Sequence, residues 1–427
     1  MVAVTGMEVY LAGGIFLVAY ALIATDKLDR TIVALLGGMA VVVLGIIDQH
    51  QAFEAIDLNV IFLLAGMMII ANGLASTGFF EYVAATAIRV SRGEPFRLLI
   101  LLSILSALLS ASLDNVTTVV LLAPVTLSVA RSLRVSPLPY LLSQVFASNI
   151  GGTATLIGDP PNILIGSAAG LDFTAFLVNL APVVILIMVG FIVLLRILFR
   201  GQMQDDEDRL DRLAQLDPAA AIKDRRLMWV ALAVLGLVIV GFLLHSALGL
   251  EAATIAMLGA TALLLVGRLK PHDALRDVEW NTLFFFVGLF ILVESVVHVG
   301  IVGGIATLLA EVVGGDTTVA TIAILWFSAL ASAIIDNIPY TATAIPIVQT
   351  LVDSGVGGEV LWWALALGAC LGGNLTIVGA SANIVVANMA ERDGHHITFW
   401  QFFRYGAAVV ALSLVVSTGY LWVRYLL

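Results

Sequence analysis

A chain of 427 residues of which 61 % are hydrophobic and only 12 % charged, with a mean hydropathy of +1.07, is not a soluble globular domain, where roughly a quarter of residues carry charge. The net charge of −10 identifies no partner, because in a membrane protein the placement of Lys and Arg matters more than their sum. The single cysteine, Cys370, excludes disulfides within one chain and any multi-thiolate metal cluster, and no Gly-x-x-x-x-Gly-Lys-Ser/Thr loop is present for nucleotide hydrolysis.

Apolar stretches of about 17 to 25 residues recur along the chain, each long enough to cross the ~30 Å hydrocarbon layer as a helix. The first, Val9 to Ala24, has no basic leader and no small-residue cleavage site, so it reads as a retained span and not a signal peptide. Further spans begin near Thr31 and Leu58, a helical hairpin covers Phe96 to Ser132, an interrupted span covers about 138–169, and a last span begins near Phe173. A mixed-charge connector, 201–226, with an acidic run from Asp205 to Asp208, follows; it reads as a solvated cytoplasmic linker. Near Leu227 the series starts again, with a second hairpin at Thr317 to Leu351 and a second interrupted span at about 359–390.

This recurrence is an internal repeat. ASLDNVTTVVLLAP from Ala111 returns as AIIDNIPYTATAIP from Ala333, at an offset of 336 − 114 = 222. The same offset pairs the segments starting at Asp57 and Glu279, Gly37 with Gly259, and Gly45 with Gly267. Downstream, IGGTATLIGDPPNIL from Ile150 matches LGGNLTIVGASANIV from Leu371, at 371 − 150 = 221. Residues 1–200 and 227–427 are therefore two copies of one unit. Each makes five net crossings if its hairpin enters and leaves on one side, and an odd number inserts the second copy upside down. Charge tests this inversion independently: with the N-terminus outside, 19 of the 20 Lys and Arg residues fall inside, leaving Arg424. Both termini are then outside. The expected fold is all-α and polytopic, with ten spans and two re-entrant hairpins, the tips lacking the Lys or Arg of a surface turn.

Four elements converge by this symmetry: the tips at Asp114-Asn115 and Asp336-Asn337, and the breaks at Gly151 to Asn162 and Gly372 to Asn383. Unwound backbone at membrane depth is tolerated where it lines a cavity or is buried in protein, and the helices restarting there present free N–H groups. The candidate substrate or ion ligands are Asp114, Asn115, Thr117, Thr118, Ser148, Asn149, Gly151, Gly152, Thr153, Thr155, Asp159 and Asn162 in the first half. In the second they are Asp336, Asn337, Thr341, Gly372, Gly373, Asn374, Thr376, Ser381 and Asn383. Asp114 and Asp336 are the candidates for proton coupling. Helix capping alone is the alternative role for both, but an intramembrane Asp costs about 2.5 to 3.5 kcal/mol where Ser or Asn would cap as well. Glu294, at the position of Asn72 in the first half, is a third proton candidate or else an interhelical hydrogen-bond partner, and Asp159 is either a ligand or a turn residue. Cys370 reads as a small core residue, His298 as interfacial, and His395-His396 as a cytoplasmic loop pair. No metal, organic cofactor or nucleic-acid partner is expected.

LDNVTT at 113–118, IGDPPN at 157–162, IDNIP at 335–339, GACLGGN at 368–374 and GASAN at 379–383 resemble the ion transporter superfamily, in the branch holding arsenical pumps, NhaD-type Na+/H+ antiporters and the melanosomal P protein. The resemblance covers nearly the whole chain. It implies a scaffold and a transport domain per protomer, two-hairpin binding sites, a homodimer in the bilayer and, for some members, a separate ATPase subunit. Dicarboxylate carriers of the superfamily have Ser-Asn-Thr at these tips, so two carboxylates favour a neutral or cationic cargo. The expected function is secondary active transport by alternating access: proton-coupled arsenite or antimonite efflux across the inner (plasma) membrane, with H+ as the coupling ion. Na+/H+ antiport and an anion channel or organic anion carrier are the alternatives.

Overall fold

The computed structural model describes residues 6–25, 27–92, 94–133, 135–201 and 218–427. Helices account for all the regular structure among them. The first half contains α1 (Gly6–Thr25), α2 (Arg30–Val43), α3 (Gln49–Glu54), α4 (Leu58–Ala75), α5 (Phe79–Ser91), α6 (Pro95–Ser112), α7 (Asn115–Leu133), α8 (Leu138–Gly152), α9 (Pro160–Ala169) and α10 (Phe173–Leu198). The second contains α11 (Arg225–Leu248), α12 (Ala252–Gly267), α13 (Pro271–Arg276), α14 (Trp280–His298), α15 (Ile301–Val313), α16 (Thr317–Ile334), α17 (Asn337–Asp353), α18 (Val360–Gly372), α19 (Ser381–Arg392) and α20 (Phe399–Leu421). The acidic run Asp205 to Asp208 and Arg134 lie outside the described residues. The end of the connector, Pro218–Ala221, forms a 3-10 turn beside α5, and Lys223 N–H donates to Thr77 O at 2.9 Å.

The repeat register is visible in where helices start. Pairs such as Arg30 and Ala252, Leu58 and Trp280, Pro95 and Thr317, and Asn115 and Asn337 are all 222 apart, while Pro160 and Ser381 are 221 apart. Local chemistry fixes many of these starts. Asp29, Asp57, Asp172, Asp224 and Asp316 each accept backbone N–H groups of the following helix, a cap worth about 1 kcal/mol.

Eight helical segments among the described residues are long and apolar enough to cross a bilayer, and the chain is a multi-pass membrane protein. Six of them, ending or lying in α1, α4, α10, α11, α14 and α20, are spans; the other two, α6 and α16, are the entering arms of the hairpins. The remaining crossings fall to shorter α2 and α12 and to the interrupted pairs α8–α9 and α18–α19.

The halves interlock reciprocally. Helix α2 packs on α14 and α12 packs on α4, and both crossings are close because glycine meets alanine. A Cβ on Gly66 would lie 2.8 Å from the carbonyl carbon of Ala256, and one on the repeat mate Gly288 would overlap Ala34. Hairpin arms behave likewise: α6 lies on α8 and α16 on α18. The helix ends sort into two faces as the inverted topology requires. Arg131 pairs with Asp393 at 3.0 Å, Lys223 with Glu81 at 3.7 Å, and Asn72 Nδ2 donates to Asp277 O at 2.7 Å. At the other face His245 meets Asp172 at 3.6 Å and Arg424 donates to Asn179 Oδ1 at 2.8 Å.

Candidate functional site

Each hairpin turns on two residues, Leu113-Asp114 and Ile335-Asp336, before α7 and α17 begin. The tips end inside protein: Asp114 is 8 % exposed, Asn115 2 %, Asp336 6 % and Asn337 1 %. Hydroxyls tie each tip to its broken span in matching ways. Ser110 Oγ donates to Ser148 O at 2.7 Å and Ser332 Oγ to Ala369 O at 2.6 Å; Thr155 Oγ1 donates to Ala111 O and Thr376 Oγ1 to Ala333 O. Ser148 Oγ reaches Asn115 O at 3.1 Å.

The breaks are stitched by asparagines. Asn162 Nδ2 donates to the carbonyls of Thr155 and Thr153, at 2.8 and 3.1 Å. Asn383 Nδ2 donates to those of Gly373 and Thr376, at 2.7 and 2.8 Å. This satisfies carbonyls that the unwound helices leave open. The glycines permit the approach: a Cβ on Gly151 or Gly372 would overlap the backbone of Ala107 or Ala329, and Gly152 and Gly373 face Gly158 and Gly379.

One amide network joins the two halves. Asn115 Nδ2 donates to Asn149 Oδ1 at 3.1 Å, and Asn149 Nδ2 donates to Asn374 Oδ1 at 2.9 Å and to Asn383 Oδ1 at 3.0 Å. The chain of bonds therefore runs from the first tip through α8 to the second break. The repeat mate of Asn149 is Cys370, which is fully buried and points its thiol at Asn162 Oδ1, 3.5 Å away.

The acids are not equivalent. Asp114 accepts from the backbone N–H and hydroxyl of Thr117 in its own first turn. Asp336 adopts φ 43°, ψ 138°, a region that costs a non-glycine residue about 1 to 3 kcal/mol. It accepts from Ile338 N–H at 3.0 Å and from Ser381 Oγ at 2.9 Å. Asp159 does not cap its own helix but accepts from Asn337 Nδ2 at 3.1 Å, linking the first break to the second tip.

Of the residues singled out by sequence, both tips and both breaks are thus brought together. Thr153 and Thr341 return their hydroxyls to the carbonyls of Asn149 and Asn337, and Thr118 is buried beside Asn115 on α7. Glu294 stands apart, half-buried on α14 one turn before His298.

Two site residues escaped the sequence reading. Arg30, which counted only as a positive charge at a membrane face, places Nη1 3.4 Å from Asp336 Oδ2 and also bonds Ser381. Tyr20 donates its hydroxyl to Pro339 O at 2.9 Å. Their repeat mates are Ala252 and Phe242, so the loss of polarity in the second copy was the available signal. A cation in the first turn of a helix, where the dipole disfavours it, was another.

At the face bearing His245, a cavity of about 650 Å³ reaches inward. It is lined by Asn59, Ser167, His245 and Glu251, together with Leu156 and Ile163 of the first broken span.

Inverted halves, paired hairpins and a buried polar site between broken helices define a secondary transporter, not an enzyme. The family model described as citrate transporter (CitMHS) matches residues 20–368, and the chain belongs to that family, within the ion transporter superfamily. An uncharacterized transporter of Mycobacterium tuberculosis is 48 % identical over 96 % of this chain and 97 % of its own length. The P protein of Homo sapiens is 34 % identical over 98 % of this chain but only 60 % of its own. Among solved structures, the Alcanivorax borkumensis YdaH transporter, described as having an unusual topology, superposes with TM-score 0.64 at 14 % identity, covering 97 % of this chain and 98 % of that one. At that identity the likeness concerns the fold.

Proposed function

We propose that this transporter is a proton-coupled carrier of the plasma membrane, with both termini outside, that exports arsenite or antimonite by alternating access. The observation that carries this reading is three buried acids beside the amide network: Asp114 precedes Asn115 in the chain, and Asp159 accepts from Asn337, which follows Asp336. Buried acids at the meeting point of two broken helices suit proton exchange. Neutral arsenous acid offers hydroxyls that amide and carboxylate oxygens accept, without the charge repulsion a polyanion would meet.

A second reading has its own support. Arg30 at Asp336 is a guanidinium beside the site, and such a group pairs with a carboxylate cargo as readily as with Asp336. Together with the family description this favours an organic anion carrier, with Arg30 shared between Asp336 and the cargo.

Reconstituted vesicles distinguish the two. Accumulation of As(III) under an imposed pH gradient, with no uptake of radiolabelled citrate, is expected from the first. Citrate uptake abolished by Arg30→Gln would establish the second and overturn the first. Na+-dependent dequenching of a pH dye without either cargo would replace both with Na+/H+ antiport.

A further inference from the structure

The two hairpins differ inside. In the second, Ser328 Oγ and Tyr340 Oη bond at 2.8 Å across the arms. At the offset of 222 their mates are Ser106 and Thr118. Both are fully buried, and neither Ser106 Oγ nor Thr118 Oγ1 has a hydrogen-bond partner among the described residues. The second copy bridges the arms with a phenol; a threonine is a ring too short to do so. Asn115 Oδ1, one turn nearer the tip on the same face of α7, is likewise buried and unpartnered.

Three such oxygens on the two arms of one hairpin are costly, at about 1 to 3 kcal/mol each if dry. A buried polar space that is roomy enough and offers two to four hydrogen-bonding partners holds water, whereas apolar ones stay dry. The polarity continues two turns along α7, where Thr126 donates to Gln144 Oε1 at 2.9 Å and Gln144 Nε2 has no partner among the described residues. In the second half the mates of Thr126 and Gln144 are Val348 and Leu365, which line an apolar cavity of about 430 Å³ with Tyr340.

We propose that the arms of the first hairpin enclose a hydrated site, in which water bonded to Ser106, Thr118 and Asn115 gives Asp114 a proton route that Asp336 lacks. The route along α7 leads from the tip toward the face that carries Arg131. The charged groups facing Asp114 from other elements are Asp159 in the first break and Glu279 at the start of α14. In the other hairpin the Ser328–Tyr340 bond pairs the two hydroxyls at the corresponding positions. The proton role of this water rests on the proton-coupling reading above; its presence does not.

Two variants test the site separately from that reading. Ser106→Ala in the full-length protein in detergent should lower the melting temperature, because a bound water loses a partner. A melting temperature unchanged or raised, as expected when an unpaired hydroxyl is removed from a dry interior, would overturn the site. Thr118→Tyr, which rebuilds the bridge found in the second hairpin, should lower pH-gradient-driven uptake about tenfold more than it lowers cargo counterflow. An equal effect on both would refute the proton route. If the unaltered protein ignores a pH gradient, the coupling reading fails, and the Ser106→Ala measurement still decides the hydrated site.

Discussion

Arg30 Nη1 lies 3.4 Å from Asp336 Oδ2, so the first turn of α2 holds the hairpin tip of the opposite half. Tyr20, on α1, holds the same tip at Pro339. The first tip has no equivalent, since Ala252 and Phe242 occupy the mate positions and Asp114 is satisfied by Thr117 within its own turn. Among the described residues, this side-chain hold on a tip from the opposite half's first two helices is made at the second tip and not at the first. A contact of this kind is suited to holding one of two alternating conformations.

Removing that lock should loosen the second tip. Arg30→Gln is expected to cost about 1 kcal/mol of stability, since the guanidinium is partly exposed and solvent weakens the pair. It should also speed maleimide labelling of Cys370, the only thiol in the sequence, which is fully buried behind the second break. Arg30→Lys should restore part of the protection. Labelling rates that do not change in Arg30→Gln would show that the contact locks nothing.

Asn149 occupies the centre of the amide network, with bonds to Asn115, Asn374 and Asn383. Asn149→Leu removes a common partner from three buried groups and should destabilise the protein by about 3 kcal/mol or more, read as a lower melting temperature. Asn149→Cys, which copies the second-half residue, should cost less than Asn149→Leu if a thiol can serve there as Cys370 does.

The glycines divide cleanly by surroundings. Gly151→Ala and Gly372→Ala each place a methyl on the backbone of a hairpin arm and should cost about 1 to 3 kcal/mol through overpacking. Gly236, inside α11, has open space at its Cβ position. Gly236→Ala should be neutral or stabilising by about 0.5 to 1 kcal/mol from helix propensity. Thermal melts of the three variants check the contrast.

Much of the architecture was legible because it is written twice. The offset of 222 located α2, α4, α6, α7 and their mates, and the Gly and Pro interruptions marked both broken spans. The partners of individual side chains were not legible. Asp159 sits in a turn-forming Gly-Asp-Pro-Pro run, yet its carboxylate serves Asn337, 178 positions away, a pairing only the tertiary fold creates. Arg30 was hidden for a different reason: a cation at a span end satisfies the charge rule for topology, which masks any second role. Cys370 reads as core, and the offset of 221 pairs it with Asn149, but its contact with Asn162 Oδ1 appears only in the fold. Differences between repeat mates, more than their identities, marked the asymmetric features.

The central claim is that Asp114 and Asp336 couple proton movement to cargo movement. Its most direct test is As(III) accumulation in reconstituted vesicles under an imposed pH gradient, comparing the unaltered protein with Asp114→Asn and Asp336→Asn. The account predicts gradient-driven accumulation by the unaltered protein and its loss in both variants, by at least about a hundredfold for a group essential to proton transfer. Accumulation that persists unchanged in both asparagine variants would contradict it.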